Sequence, residues 1–121
     1  MRFIAIYRPD VHRAPTPADY EAMGKFLHEA VQAGVLLATE GFGPSSAADA
    51  KLRLHSGQFS VTDGPFAETK EAIGGFAIMQ TRSREEMFEW TRRFLLIAGD
   101  GESEIRQLHE MSPLDGLRGG K

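Results

Sequence analysis

The stretch RFIAIYR, Arg2 to Arg8, is apolar on both sides of an extended chain, with Phe3, Ala5 and Tyr7 on one face and Ile4 and Ile6 on the other. Such a strand belongs inside a sheet that is covered on both faces. The next residues show how the first face is covered. PDVHRAPTP, residues 9–17, is a Pro-rich loop, and it ends in a helix start: Thr16 as N-cap, Pro17 at the first helical position and Asp19 reaching back to free amides. Tyr20, Met23, Leu27, Ala30 and Val31 then recur at helical spacing until Gly34 ends the helix.

VLLATEGF, residues 35–42, predicts a second strand in which Leu36, Ala38 and Glu40 share a face. KLRLHS and QFSVTD flank Ser56-Gly57 and predict a hairpin, with Leu52, Leu54, Phe59 and Val61 facing inward and Asp63 carried inward by the same period. AIGGFAIMQT, residues 72–81, predicts a further strand whose Gly74-Gly75 permits a bulge or a close backbone approach. Ser83 and Glu86 predict a capping box before a second helix with the stripe Met87, Trp90, Phe94 and Ile97, broken at Gly99-Asp100-Gly101. SEIRQLHEM, residues 103–111, supplies the last strand.

The order β-α-β, hairpin, β-α-β predicts an α+β fold: a ferredoxin-like antiparallel sheet with both helices on one face. Two helices cover one side only. The other side needs a partner, and a second copy of the chain is the economical one, so a homodimer with facing sheets and an enclosed cavity is expected. One domain is expected over residues 1–111, with 112–121 a flexible C-terminal tail.

Composition narrows the function. The chain has 121 residues, 41% hydrophobic and 26% charged, as a single folded domain does. No apolar run approaches the ~20 residues of a membrane helix, and Met1 leads directly into a strand rather than a leader, so a cytoplasmic protein without membrane association is expected. The absence of cysteine excludes disulfides, thiolate zinc and a cysteine nucleophile. A net charge of −3 argues against direct nucleic-acid binding, and the cluster Arg82, Arg84, Arg92, Arg93 is interrupted by Glu85, Glu86 and Glu89. No two histidines have metal-ligand spacing, and no nucleotide-binding fingerprint occurs, so neither a metal nor a cofactor is expected.

The candidate site centres on TDGPFAETKE, residues 62–71. Asp63 on an inward face either accepts backbone hydrogen bonds or loses its charge, which makes it a candidate general acid or base; alternatively it caps its own turn while Gly64 and Pro65 set the geometry. Lys70 is a candidate for an anionic ligand group, with Thr69 donating a hydrogen bond and Glu68 polarising water; alternatively Lys70 pairs with Glu68, Glu71 or Glu40 and holds the loop. Phe66 is a wall of the site or a plug for the core beneath it. Glu40 shares Asp63's puzzle, an acid in phase with apolar neighbours, and two such acids on neighbouring strands could hold a cation or share a proton. Tyr7 offers a hydroxyl from an apolar face.

These residues also carry a resemblance. TDGPFAETKE followed by IGGF, with AGVLLATEGFGPSS upstream and SREEMFEWTRR downstream, closely resembles the DGPFAETKE family within the wider YCII-related group, over Met1 to about Met111. The resemblance implies the dimeric α+β barrel fold. Some YCII-like relatives look like enzymes acting on small acidic or halogenated ring compounds through a His-Asp pair; the position of their helix histidine falls near Met23 here. In other chains a domain of this type accompanies an alternative sigma factor, which implies a regulatory or protein-interaction role. A small anionic or acidic ligand in the dimer cavity beside the motif loop, open to acid or base chemistry, with a non-enzymatic regulatory or protein-interaction module as the alternative, is therefore the functional expectation.

Overall fold

The computed structural model describes residues 1–43, 50–67, 72–110 and 114. Strand β1, Arg2–Pro9, lies between two antiparallel neighbours, β5 (Gly75–Gln80) and β6 (Gly101–Gln107), and β2 (Leu36–Gly41) pairs with the outer side of β5. The four-stranded order is β2-β5-β1-β6. Helix α1, Pro17–Gln32, connects β1 to β2, and α2, Arg84–Ala98, connects β5 to β6. The expected ferredoxin-like α+β arrangement is present.

The register assigns each face. Phe3 opposes Met79 and Gln107, Ala5 opposes Ala77 and Ile105, and Tyr7 opposes Gly75 and Ser103. That face carries the core: Phe3, Ala5, Val35, Met79 and Met87 form one cluster with Trp90 and Ile105 against it. Phe94 of α2 meets the Tyr7 ring edge to face at 5.2 Å, and Phe26 of α1 packs on Trp90 at 5.9 Å. Both helices therefore lie on the Tyr7 side. On the opposite side Ile4 and Ile6 meet Ile78 and Phe76, all half-buried, beside an ion pair between Arg8 Nη1 and Glu104 Oε1 at 2.9 Å.

The helix starts form for the expected reasons. Thr16 Oγ1 accepts from the Asp19 amide at 3.2 Å and the Asp19 carboxylate accepts from the Thr16 amide at 2.8 Å. At α2 only half of the expected box closes: Ser83 Oγ accepts from the Glu86 amide at 3.1 Å, but the Glu86 carboxylate accepts from the amide of Arg82 at 2.7 Å, one residue earlier. The apolar stripe of α1 is also rotated from expectation. Phe26 and Ala30 are buried, whereas Tyr20 and Val31 are 68% and 53% exposed, because the helix turns toward Trp90 of α2.

Two strand expectations are corrected. A register shift between Leu36 and Ala38 places Leu36 opposite Met79 on the helix side, but Ala38 and Glu40 opposite Ile78 and Phe76 on the helix-free side. Leu36 and Glu40 thus do not share a face. The hairpin of β3 (Ala50–His55) and β4 (Gln58–Asp63) forms around Ser56 and Gly57, whose φ values of 49° and 77° suit a two-residue turn. It is a separate two-stranded sheet, and every residue in both strands is exposed. Within one chain Leu52, Leu54, Phe59 and Val61 do not face a core, and neither does Asp63.

The tail expectation for 112–121 falls, apart from Leu114, outside the described residues. Among the described residues no helix is long and apolar enough to cross a membrane.

Candidate functional site

At the end of the sheet where β1 runs into the Pro-rich loop, the helices and strands part to leave a cleft of about 890 Å³. Its floor is the helix-side face of the sheet, with Tyr7, Ala77 and Ser103; its walls include Met23 and Leu27 of α1 and Phe94 and Ile97 of α2. Pro9 to Arg13, Pro15 and Asp100 form the rim.

Glycines make the floor possible. A Cβ on Gly75 would stand 2.7 Å from the Glu40 carbonyl oxygen, and one on Gly74 2.9 Å from the Pro9 ring. The amide of Gly74 donates to the Tyr7 carbonyl at 2.7 Å, and the amide of Phe42 donates to the Gly74 carbonyl at 2.8 Å. The close approach expected of Gly74-Gly75 is therefore realised, and it pins three chain segments together at the cleft.

Tyr7 is the central polar group. Its hydroxyl donates toward the carbonyls of Gly99 and Asp100, at 3.0 and 3.3 Å. Burial above all, and then the charges of Asp10 and Asp100, push its pKa above the usual phenol value, with Arg13 opposing weakly. Tyr7 therefore stays a neutral phenol at neutral pH. Its oxygen lone pairs remain able to accept from a ligand donor. Opposite it in register, Ser103 has a buried hydroxyl that makes no hydrogen bond among the described residues. The Thr39 and Thr91 hydroxyls, by contrast, are bonded to the carbonyls of Phe76 and Met87.

The charges at the cleft are mixed. Asp10, Asp19, Asp100 and Glu40 contribute to the lining, against Arg13, and His12 adds an imidazole. Hydrogen bonds from the backbone and side chain of Thr16 hold the Asp19 carboxyl below the usual range. Among the described residues no group of three or more His, Cys, Asp or Glu is arranged to hold a metal ion.

Among the described residues, those expected to form one site lie in two places. Tyr7 lies on the cleft floor, and Glu40 borders the cleft on strand β2 while its register partner is Phe76 on the helix-free side. Asp63 is exposed on the hairpin opposite Ala50 and does not line the cleft. It lies on a different sheet from Glu40, so the two acids are not on neighbouring strands. Gly64 is half-buried and joined to the exposed Pro65 by a cis peptide. Phe66 is half-buried with the Lys51 ammonium 4.5 Å above its ring, an arrangement that attracts a cation to the aromatic face. Glu68, Thr69, Lys70 and Glu71 lie outside the described residues.

Sequence reasoning missed Ser103, Arg13 and Asp100 as cleft residues. For Ser103 a signal existed: a small polar residue that the predicted last strand sets against the first. Arg13 and Asp100 carry none, since both sit in loops whose meeting depends on the tertiary fold.

The YCII-related domain family matches residues 1–112. The chain belongs to that family. A protein of Rhizobium meliloti (strain 1021), itself uncharacterised, is 42% identical over 62 residues, which are 51% of this chain and 49% of that protein. The match thus spans about half the length of the curated relative. Membership agrees with the ferredoxin-like arrangement of strands and helices, and a family whose relative is uncharacterised leaves the chemistry to be argued from the cleft.

Proposed function

We propose that this YCII-related protein binds a small amphipathic molecule in the cleft between helices and sheet, and that it works as a homodimer joined across the helix-free sheet face. The observation that carries the ligand reading is the cleft itself: its volume of about 890 Å³ lies within the range of small-molecule pockets. Tyr7, Phe94, Met23 and Leu27 supply apolar wall for a ring-sized body. The Tyr7 oxygen supplies an anchor for one polar group, and the Ser103 hydroxyl opposite it in register, which makes no hydrogen bond among the described residues, supplies a second.

The carboxylates of Asp10, Asp19 and Asp100 around the cleft favour a neutral or cationic polar end. An anionic end, expected from Lys70, requires that residue to reach the rim. Acid or base chemistry at Asp63 gains no support from its exposed position away from the cleft. The neutral Tyr7 phenol is suited to holding a ligand rather than to removing a proton.

The dimer reading rests on the half-buried apolar patch Ile4, Ile6, Phe76 and Ile78, framed by charges that already include the Arg8 and Glu104 pair. An apolar centre with a polar frame is the usual anatomy of an interface. A second function, as a regulatory or interaction module, is favoured by one observation, the exposed apolar side of the β3–β4 hairpin.

Calorimetric titration with matched aromatic amines, alcohols and carboxylates tests the ligand reading. Binding that Ser103→Ala and Tyr7→Phe both weaken supports it. Binding of none of the three classes, together with native mass spectrometry of host-purified protein showing no small added mass, overturns it.

A further inference from the structure

The β3–β4 hairpin is amphipathic in a way that one chain leaves unused. Its register sets Leu52 against Val61 and Leu54 against Phe59, so these four side chains share one face with Ala50 and Asp63. Lys51, Arg53 and His55 share the other face with Gln58, Ser60 and Thr62. Leu52, Leu54, Phe59 and Val61 are 69%, 60%, 72% and 63% exposed. A two-stranded ribbon by itself is marginal in water, and it gains independent stability only when its apolar face is packed against something.

We infer that this face packs on a second copy of the same chain, so that the hairpin is an arm that completes the homodimer. The inference rests on the proposed dimer and deepens it. Three observations favour a second copy as the occupant. The chain carries another incompletely covered apolar surface, around Ile4, Ile6, Phe76 and Ile78, so a second copy joined there brings one partner surface to each arm.

The areas also agree. At these exposures, the four side chains offer roughly 500 Å² per hairpin, given the 150–250 Å² of an aromatic residue and somewhat less for Leu or Val. Two arms and the surfaces they cover then amount to about 2,000 Å², the scale of a stable dimer rather than of a passing contact.

Charge points the same way. The arm's charged side chains are Lys51 and Arg53 against Asp63, on a chain whose net charge is −3, so the arm meets no like-charge barrier from another copy's acidic remainder. The excursion that carries the arm is closed at its root by the bond from the Phe42 amide to the Gly74 carbonyl. Phe42 and Gly74 both line the cleft, so the arm's root lies at the cleft mouth.

The test combines sedimentation velocity with hydrogen exchange on the full chain, wild type and Phe59→Glu, with circular dichroism as the folding control. Phe59 is exposed in the protomer, so the variant is expected to fold. The expected result is a wild-type dimer whose hairpin amides gain protection as protein concentration rises, and a dissociation constant raised on the order of a hundredfold in the variant. A dimer of unchanged affinity in Phe59→Glu, with hairpin exchange independent of concentration, overturns the arm and leaves the dimer standing. A wild-type monomer at every concentration overturns both. Hairpin protection in a monomer identifies the arm's own chain as the occupant, and overturns the inference as well.

Discussion

Tyr7 and Gly101 approach so closely across the β1–β6 pair that a Cβ on Gly101 would stand 2.8 Å from the Tyr7 ring. The same Cβ would stand 2.6 Å from the Arg8 carbonyl oxygen and 2.9 Å from the Pro9 Cα, neither of which can swing aside as a side-chain end does. Gly101→Ala is therefore expected to push β6 off β1 at the cleft floor and to lower stability by about 1–3 kcal/mol. Gly24→Ala is the matched control: nothing lies within 4 Å of its Cβ, and in the interior of α1 it is expected to add up to about 1 kcal/mol. Urea unfolding of the two variants checks both signs.

The Tyr7 hydroxyl offers a second check. Tyr7→Phe removes the bonds to the Gly99 and Asp100 carbonyls and is expected to cost about 1 kcal/mol. Its pH dependence comes from the raised pKa. Folding favours the protonated phenol, so this contribution is fully present below the unfolded-state value of 10.0 and is lost as pH rises through the higher folded value. Ultraviolet titration should find a tyrosine ionising above the ordinary value in the wild type, and Tyr7→Phe should remove that transition.

The main lines of this fold are legible in local chemistry because local chemistry fixes them. The two-faced pattern of Arg2 to Arg8 marks a central strand, Thr16 and Asp19 mark a helix start, and Ser56-Gly57 marks a hairpin. What escapes the sequence is whatever depends on one residue of register or on contacts between distant segments. The bulge between Leu36 and Ala38 moves Glu40 to the other face without any Gly or Pro to announce it. Phe26 wins over Val31 because α1 faces the ring of Trp90 as well as the sheet. The hairpin's alternation says that one side must be covered, but not by which molecule. The cleft is built by a Pro-rich loop, one face of a strand and the end of α2, and no motif records their meeting.

Glu104 gives a pH dependence of opposite sign. Its carboxylate accepts from Arg106 and from Arg8, and these bonds, Arg106 first, hold its pKa below the usual glutamate value. A depressed pKa stabilises the fold above the unfolded-state value of 4.5, and the benefit disappears as pH falls through the folded value. Glu104→Gln should therefore lower the melting temperature at pH 7 and have its effect vanish in strong acid. Both partners are partly exposed, so added salt should shrink the neutral-pH difference. Melting curves across pH, at low and high salt, read out both.

The charge of the ligand separates the rim of the cleft from the motif loop. Asp100 lines the cleft beside the carbonyls that hold Tyr7, whereas Lys70 comes after the hairpin in TDGPFAETKE. For a neutral or cationic polar end, Asp100→Asn should weaken an amine ligand on the order of tenfold, as the loss of one nearby charge does in a partly solvated site, while Lys70→Ala changes little. For an anionic end the order reverses, with Lys70→Ala weakening a carboxylate ligand and Asp100→Asn strengthening it. Asp100 is exposed in the protomer, so Asp100→Asn should leave the melting temperature nearly unchanged. Titrating amine and carboxylate forms of one aromatic scaffold against both variants therefore reads ligand charge from the pattern of two affinities. The cleft's carboxylate-rich lining predicts the first pattern.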